Sequence, residues 1–197
     1  MSKSTPVRAA IVAAFAIGSL CSLALVSSAS EGRKVVMLRD DCDPATFNAA
    51  AGPGTCVGDG KTTFADFIAQ VTKHQDAPLW RFTPAALALP VSKMLELVNP
   101  GGETHTFTKV AEFGGGFIIP LNVLSGNPVP RPECTTGAVV VPGVMLQPLP
   151  EGPANVFVEA GTAEDGPTAG SAILPRQQKV KFQCCIHPWM RTEVTVP

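Results

Sequence analysis

The 197-residue chain has no tyrosine, only three histidines and no surplus of charge, since 15 Lys and Arg stand against 16 Asp and Glu. Without a basic surplus it carries no electrostatic footprint for nucleic acid. It has no block of like charges that would mark a disordered tail, and no internal repeat that would build a solenoid. The cluster Gly114-Gly115-Gly116 is followed by neither the lysine nor the helix start of a phosphate-cradling loop, so it reads as an ordinary loop.

One long apolar run is present, at the N-terminus. Lys3 and Arg8 precede an apolar stretch over 9–26, and Ser27-Ser28-Ala29-Ser30 follows it, which is the layout of a secretory signal over residues 1–30. Cleavage is expected after Ala29 or Ser30, giving an exported protein, periplasmic or extracellular, with no membrane span after cleavage. The alternative is an uncleaved membrane anchor, because the run is near spanning length. Cys21 follows Leu20 where a lipoprotein site wants a small residue, which disfavours a lipid anchor. Residues 31–197 then suit a single domain. Losing Lys3 and Arg8 but no acid changes the formal charge from −1 to −3.

Glycine (18) and proline (19) are abundant, and short Val-rich runs lie between them, so the composition favours an all-β sandwich. Strands are expected over 33–38, 80–82, 93–98, 104–110, 138–141, 144–149, 155–159, 179–184 and 192–196. One short helix is expected over 63–74, where Phe64, Phe67, Ile68 and Val71 recur at helical spacing and Thr63 with Asp66 suits a capping box. Residues 42–56 form a Gly/Pro-rich excursion between two cysteines. A disulfide loop and helix over about 40–76 therefore precede the main sandwich. Residues 114–132 and 150–175 read as long, irregular Gly/Pro-rich loops.

Five cysteines remain after cleavage: Cys42, Cys56, Cys134, Cys184 and Cys185. In an oxidising compartment thiols pair, so an odd number asks for a reason, and metal ligation supplies one. The segment Cys184-Cys185-Ile186-His187-Pro188-Trp189-Met190 offers a thiolate, an imidazole and a thioether within seven residues. Those are the donor types that tolerate both Cu(II) and Cu(I). Side chains alternate along 179–184, so Val180, Phe182 and Cys184 share one face and Cys185 points the other way. A fourth donor is expected from a second strand, where His105 is the candidate, and His74 is assigned no role.

The tail from Phe182 to Met190 resembles the ligand loop of cupredoxins, the type 1 blue-copper family, especially the plastocyanin and amicyanin-like type. Gly102-Glu103-Thr104-His105-Thr106-Phe107 resembles their upstream histidine strand. The resemblance implies a Greek-key sandwich holding one type 1 copper ion, with His105, Cys184 and His187 in an approximate trigonal plane and Met190 weakly axial. Many relatives carry asparagine after the first histidine, where this chain has Thr106, whose hydroxyl is a candidate substitute. With Cys184 on the metal, the other four cysteines admit three pairings, of which Cys42–Cys56 with Cys134–Cys185 is preferred.

The function so implied is single-electron transfer rather than catalysis, because three histidines cannot also build a second, catalytic copper centre. The alternative is a copper carrier or storage protein without redox turnover. His187 is expected near the surface as the electron port. Pro188 and Trp189 are expected either to pack the loop or to form an apolar rim where a redox partner protein docks.

Overall fold

Short alternating runs between turns dominate this chain, and the computed structural model, which describes residues 32–197, accordingly has eleven strands and three short helices among them. The signal segment over 1–30, with Lys3, Arg8 and Cys21, lies outside the described residues. One sheet takes β1 (Arg33–Arg39), β2 (Arg81–Thr83), β4 (Met94–Val98) and β9 (Ala163–Thr168) in the order β2-β1-β4-β9. The other takes β3 (Ala86–Ala88), β5 (His105–Val110), β8 (Asn155–Val158), β10 (Gln178–Gln183) and β11 (Arg191–Val196) in the order β3-β11-β10-β5-β8. A separate hairpin joins β6 (Thr135–Val141) to β7 (Met145–Pro148).

One core lies between the two sheets. Val36 and Leu38 of β1, with Leu95 and Leu97 of β4, meet Phe107, Phe182 and Val194 of the second sheet, and all of them are buried. Phe107 stacks on Phe182 with ring centroids 4.4 Å apart, and Phe82 reaches Phe107 from the first sheet at 5.5 Å. Each strand contributes every second residue to this layer, as a pleated strand must.

The second sheet is covered on its other face as well. Gln183, which alternation turns away from the core, is nevertheless fully buried, donating to the Gly114 carbonyl and accepting from the Gly114 N–H, each at 3.0 Å. The segment that does this, read as an irregular loop, contains a short helix, α3 (Ile119–Leu124), with Pro120 in its first turn. Its six residues are too few to show a period between glycines and prolines.

Two further differences from the expected elements have local causes. The stretch after Cys42 forms α1 (Pro44–Ala51), capped by Asp43, whose carboxylate accepts the Thr46 N–H at 2.9 Å. Asp43-Pro44 is a helix start, which the prolines and glycines around it disguised as a turn. The strands β3 and β9 were not foreseen because alanine, aspartate, glycine and proline are poor strand formers; both lie at sheet edges, where such residues are tolerated.

The expected helix is α2 (Phe64–His74), with the Thr63 hydroxyl accepting the Asp66 N–H at 3.1 Å and donating to the Asp66 carboxylate at 2.7 Å. Helices α1 and α2 pack through Phe47, whose ring lies 5.4 Å from Phe67 and 5.8 Å from Trp80. A Cys42–Cys56 disulfide spanning 14 positions closes the loop around α1. Replacing both cysteines by serine should lower stability by about 3 kcal/mol, the loop-closure value for a bridge of this span. Urea unfolding followed by tryptophan emission measures it, and an unchanged midpoint would show that the aromatic packing alone holds this cap.

Candidate metal centre

Residues 79 positions apart meet because β5 and β10 pair antiparallel, with Gln183 opposite Thr108 and Phe182 opposite Lys109. Continuing that register brings the residues after β10 alongside the start of β5. His105 opens β5 and is fully buried; Cys184 directly follows β10 and is also fully buried. The Cys184 Sγ lies 3.9 Å from His105 Nδ1. His187 joins them from the loop after β10, and the donor atoms of His105, Cys184 and His187 all fall within 4.8 Å of one another.

The loop is fixed by its own backbone. The Cys184 N–H donates to the Met190 carbonyl at 3.0 Å and the Met190 N–H to the His187 carbonyl at 2.9 Å, which folds residues 184–190 into a closed turn. Met190 is fully buried against the same core. The cysteine sulfur accepts the Thr106 N–H at 3.4 Å and the His187 N–H at 3.5 Å, two long contacts suited to a soft, negatively charged acceptor. Among the described residues Cys184 is the free cysteine, because Cys134 is joined to Cys185.

Thr106 ties the two ligand-bearing segments together. Its hydroxyl oxygen accepts the Cys185 N–H at 2.7 Å and lies 3.0 Å from the Thr108 hydroxyl, which donates to Asn155 Oδ1 at 2.6 Å. The Cys185 carbonyl in turn accepts the Phe117 N–H at 2.8 Å. Gly116 is required beside it, since a Cβ there would sit 1.8 Å from that carbonyl oxygen.

Two carboxylates outside the expected ligand set stand behind the histidines. Asp40, at the end of β1, places Oδ2 2.9 Å from His105 Nε2, and its side chain is 1% exposed. The same carboxylate accepts the Gly102 N–H at 2.9 Å, the Glu103 N–H at 3.2 Å and the Cys42 N–H at 3.3 Å. Glu103 lies two residues before His105; its Oε2 accepts the Trp80 indole N–H at 2.5 Å and stands 3.6 Å from His187 Nε2. Gly102 allows this crowding, because a Cβ on it would lie 2.6 Å from the Cys42 sulfur. Spacing could have flagged Glu103, which shares strand parity with His105, but nothing local marks Asp40.

The charges follow from these contacts. Burial opposes a charged His105, yet the Asp40 hydrogen bond and the Cys184 sulfur outweigh it and push the imidazole up to about 10. Burial likewise opposes a Cys184 thiolate, but its two histidine neighbours hold the thiol well below the usual range. Burial raises the Glu103 carboxyl against the pull of His187 and Trp80. Burial also works upward on Asp40, and His105 with the Gly102 and Glu103 N–H groups reverses it, so this carboxyl is lowered.

His187 departs from its expected position. It is 2% exposed rather than near the surface, because α2 and the segment before β2 cover it. Phe67 lies 5.9 Å from its ring, Trp189 5.5 Å and Trp80 6.5 Å. Pro188 is buried too, and Trp189 keeps partial exposure. His74 is exposed on α2 and takes no part.

The donor set fits a copper ion. His187 Nδ1 is buried without a hydrogen-bond partner, whereas buried polar atoms are nearly always paired. With Nε2 turned toward Glu103, Nδ1 is the nitrogen available to a metal, and it shares its space with a thiol and a second imidazole, which are donors that suit copper.

No family profile matches this chain, and no curated protein matches it. Among solved structures it is similar to a purple cupredoxin from Nitrosopumilus maritimus, at 16% identity and TM-score 0.34, over 61% of this chain and 86% of that one. It is similar to amicyanin from Paracoccus versutus at 11% identity and TM-score 0.31, over 59% and 73%. A Cu-containing nitrite reductase from Thermus scotoductus gives 15% identity and TM-score 0.32, over 59% of this chain and 20% of that one. Overlaps this slight carry no weight, and the donors themselves define the site.

Thr106→Val keeps the volume and removes the acceptor of the Cys185 N–H. It should cost about 1–3 kcal/mol, the penalty for leaving a buried donor unmet. Chemical denaturation of the metal-free protein reads this directly, and a loss below a few tenths would mean that the disulfide alone fixes the loop.

Proposed function

We propose that this protein is an exported blue-copper electron carrier of the cupredoxin type, holding one type 1 copper ion on His105, Cys184 and His187, with Met190 as a weak fourth ligand. The observation that carries the reading is a buried, unpaired Cys184 beside two buried imidazoles, one of which has an Nδ1 with no other partner. When bound, copper supplies a one-electron couple between Cu(II) and Cu(I).

The residues of the chain do the rest. The Cys184–Met190 and Met190–His187 backbone bonds hold the loop closed, and Thr106 fixes it to β5, so the donors keep their places when the charge changes. Burial excludes water from the histidines. With Met190 as a fourth donor, a bound copper would keep no open position of the kind a catalytic metal needs, which supports a carrier over an enzyme. The signal-like segment and the two disulfides support export. The redox partner would dock at Trp189, the partly exposed ring that touches His187, rather than on His187 itself.

Copper-loaded protein should show an intense visible thiolate-to-Cu(II) band, and Cys184→Ser should abolish it. Copper binding without that band, unaffected by Cys184→Ser, would overturn the reading. A blue site that exchanges electrons with no partner would instead favour copper carriage or storage. Trp189→Ala should leave the band in place and weaken partner binding about tenfold, the loss expected on truncating an interface aromatic. Unchanged binding in a partner titration would move the docking face elsewhere.

A further inference from the structure

Two carboxylates stand at the Nε2 atoms of the two histidines, and neither belongs to the proposed ligand set. Asp40 contacts His105 Nε2 at 2.9 Å, and Glu103 faces His187 Nε2 at 3.6 Å. Both are buried, with side chains 1% and 8% exposed. A buried carboxylate is costly unless its environment holds it, and here the environment is built for the purpose. Three backbone N–H groups converge on Asp40 in addition to the imidazole. Glu103 is held by the Trp80 indole, itself wedged against Phe47 and Phe67 of the cap.

An imidazole whose Nε2–H faces a carboxylate keeps the lone pair on Nδ1, and its ring orientation is fixed as well. A bound cation beside each histidine would favour the ionised form of the carboxylate behind it, and that negative charge in turn favours the more highly charged state of the ion, since interactions in a buried site are weakly screened. From this we infer that Asp40 and Glu103 are positioning residues that aim the Nδ1 atoms of His105 and His187 at the space beside Cys184, and that their charges hold the copper couple toward Cu(II). The inference rests on the copper reading given above. It assigns the N-terminal cap a purpose: the Asp40–Cys42 loop and Trp80 deliver one carboxylate and anchor the other.

Glu103→Gln is the discriminating variant, because the glutamine carbonyl can still accept the Trp80 N–H while the charge is gone. Redox titration of the copper-loaded full-length protein, followed at the thiolate-to-Cu(II) band, is the measurement. The band should persist and the equilibrium should move toward Cu(I) by about tenfold, a rise in potential of about 59 mV for a one-electron couple. A shift below about twofold with the band intact would reduce Glu103 to a packing role and overturn the inference, leaving the copper site standing. Absence of the band in the unaltered protein would instead sink the copper reading itself, and the inference with it. Asp40→Asn offers one oxygen to four donors and is the harsher change; it should raise the potential in the same direction, and it carries the test if Glu103→Gln does not fold.

Discussion

The pairing register of β5 with β10 is the constraint on which the rest depends. Side chains alternate along a strand, so a slip of one residue would exchange the faces of Cys184 and Cys185. It would also separate Cys184 from His105 and deprive the Cys185 N–H of Thr106. The register is held from both faces at once. On the core side Phe107 stacks on Phe182. On the other side Thr106, Thr108, Asn155 and Gln183 form a buried polar layer whose hydrogen bonds exist only in this alignment. Apolar stacking supplies most of the free energy, and the polar layer supplies the uniqueness, because a shifted pairing would strand buried donors.

A second consequence concerns the buried charges. Asp40, Glu103, His105, His187 and the Cys184 sulfur occupy one volume beneath α1, α2 and Trp80. Removing so many ionisable groups from water is tolerable only when each has a partner, and the contacts run from the Asp40 carboxylate through His105 to the sulfur, on to the His187 backbone N–H, and from the His187 ring to Glu103. The gap among those contacts is His187 Nδ1. The aromatic cap has two roles here: it lowers the local dielectric, which strengthens the pairings, and it keeps water from competing for them.

The sequence was most informative where chemistry is local. The candidate donors Cys184, His187 and Met190 lie close enough in the chain to be read together, and α2 announces itself through Thr63, Asp66 and its apolar stripe. His105 was legible only as a complement to the tail, because a lone strand histidine carries no signal. Asp40 escaped notice for a physical reason: apart from the Cys42 N–H, its partners are 62 to 65 residues away, and no local pattern encodes a contact made by folding the cap over the sheet. The exposure expected of His187 failed for the same reason, since Phe67 and Trp80, which bury it, come from segments outside the family resemblance. Helices α1 and α3 were hidden by length and by prolines, which mark a helix start as readily as a turn.

The adjacent cysteines show why both faces of the second sheet had to be covered. A thiolate with a lowered pKa is the species that attacks disulfides, and Cys184 lies next in sequence to a residue already in one. In a flexible chain, exchange among Cys134, Cys184 and Cys185 would be expected. The pleat prevents it by turning Cys184 into the sandwich core and Cys185 toward Cys134, where Phe117 packs against the bridge. Attack would require Cys184 to cross the sheet, breaking the Thr106–Cys185 and Cys184–Met190 hydrogen bonds on the way. The alternation that turns Cys184 toward the two imidazoles therefore also keeps it unpaired, so the free thiol and the bridge are two products of one backbone geometry.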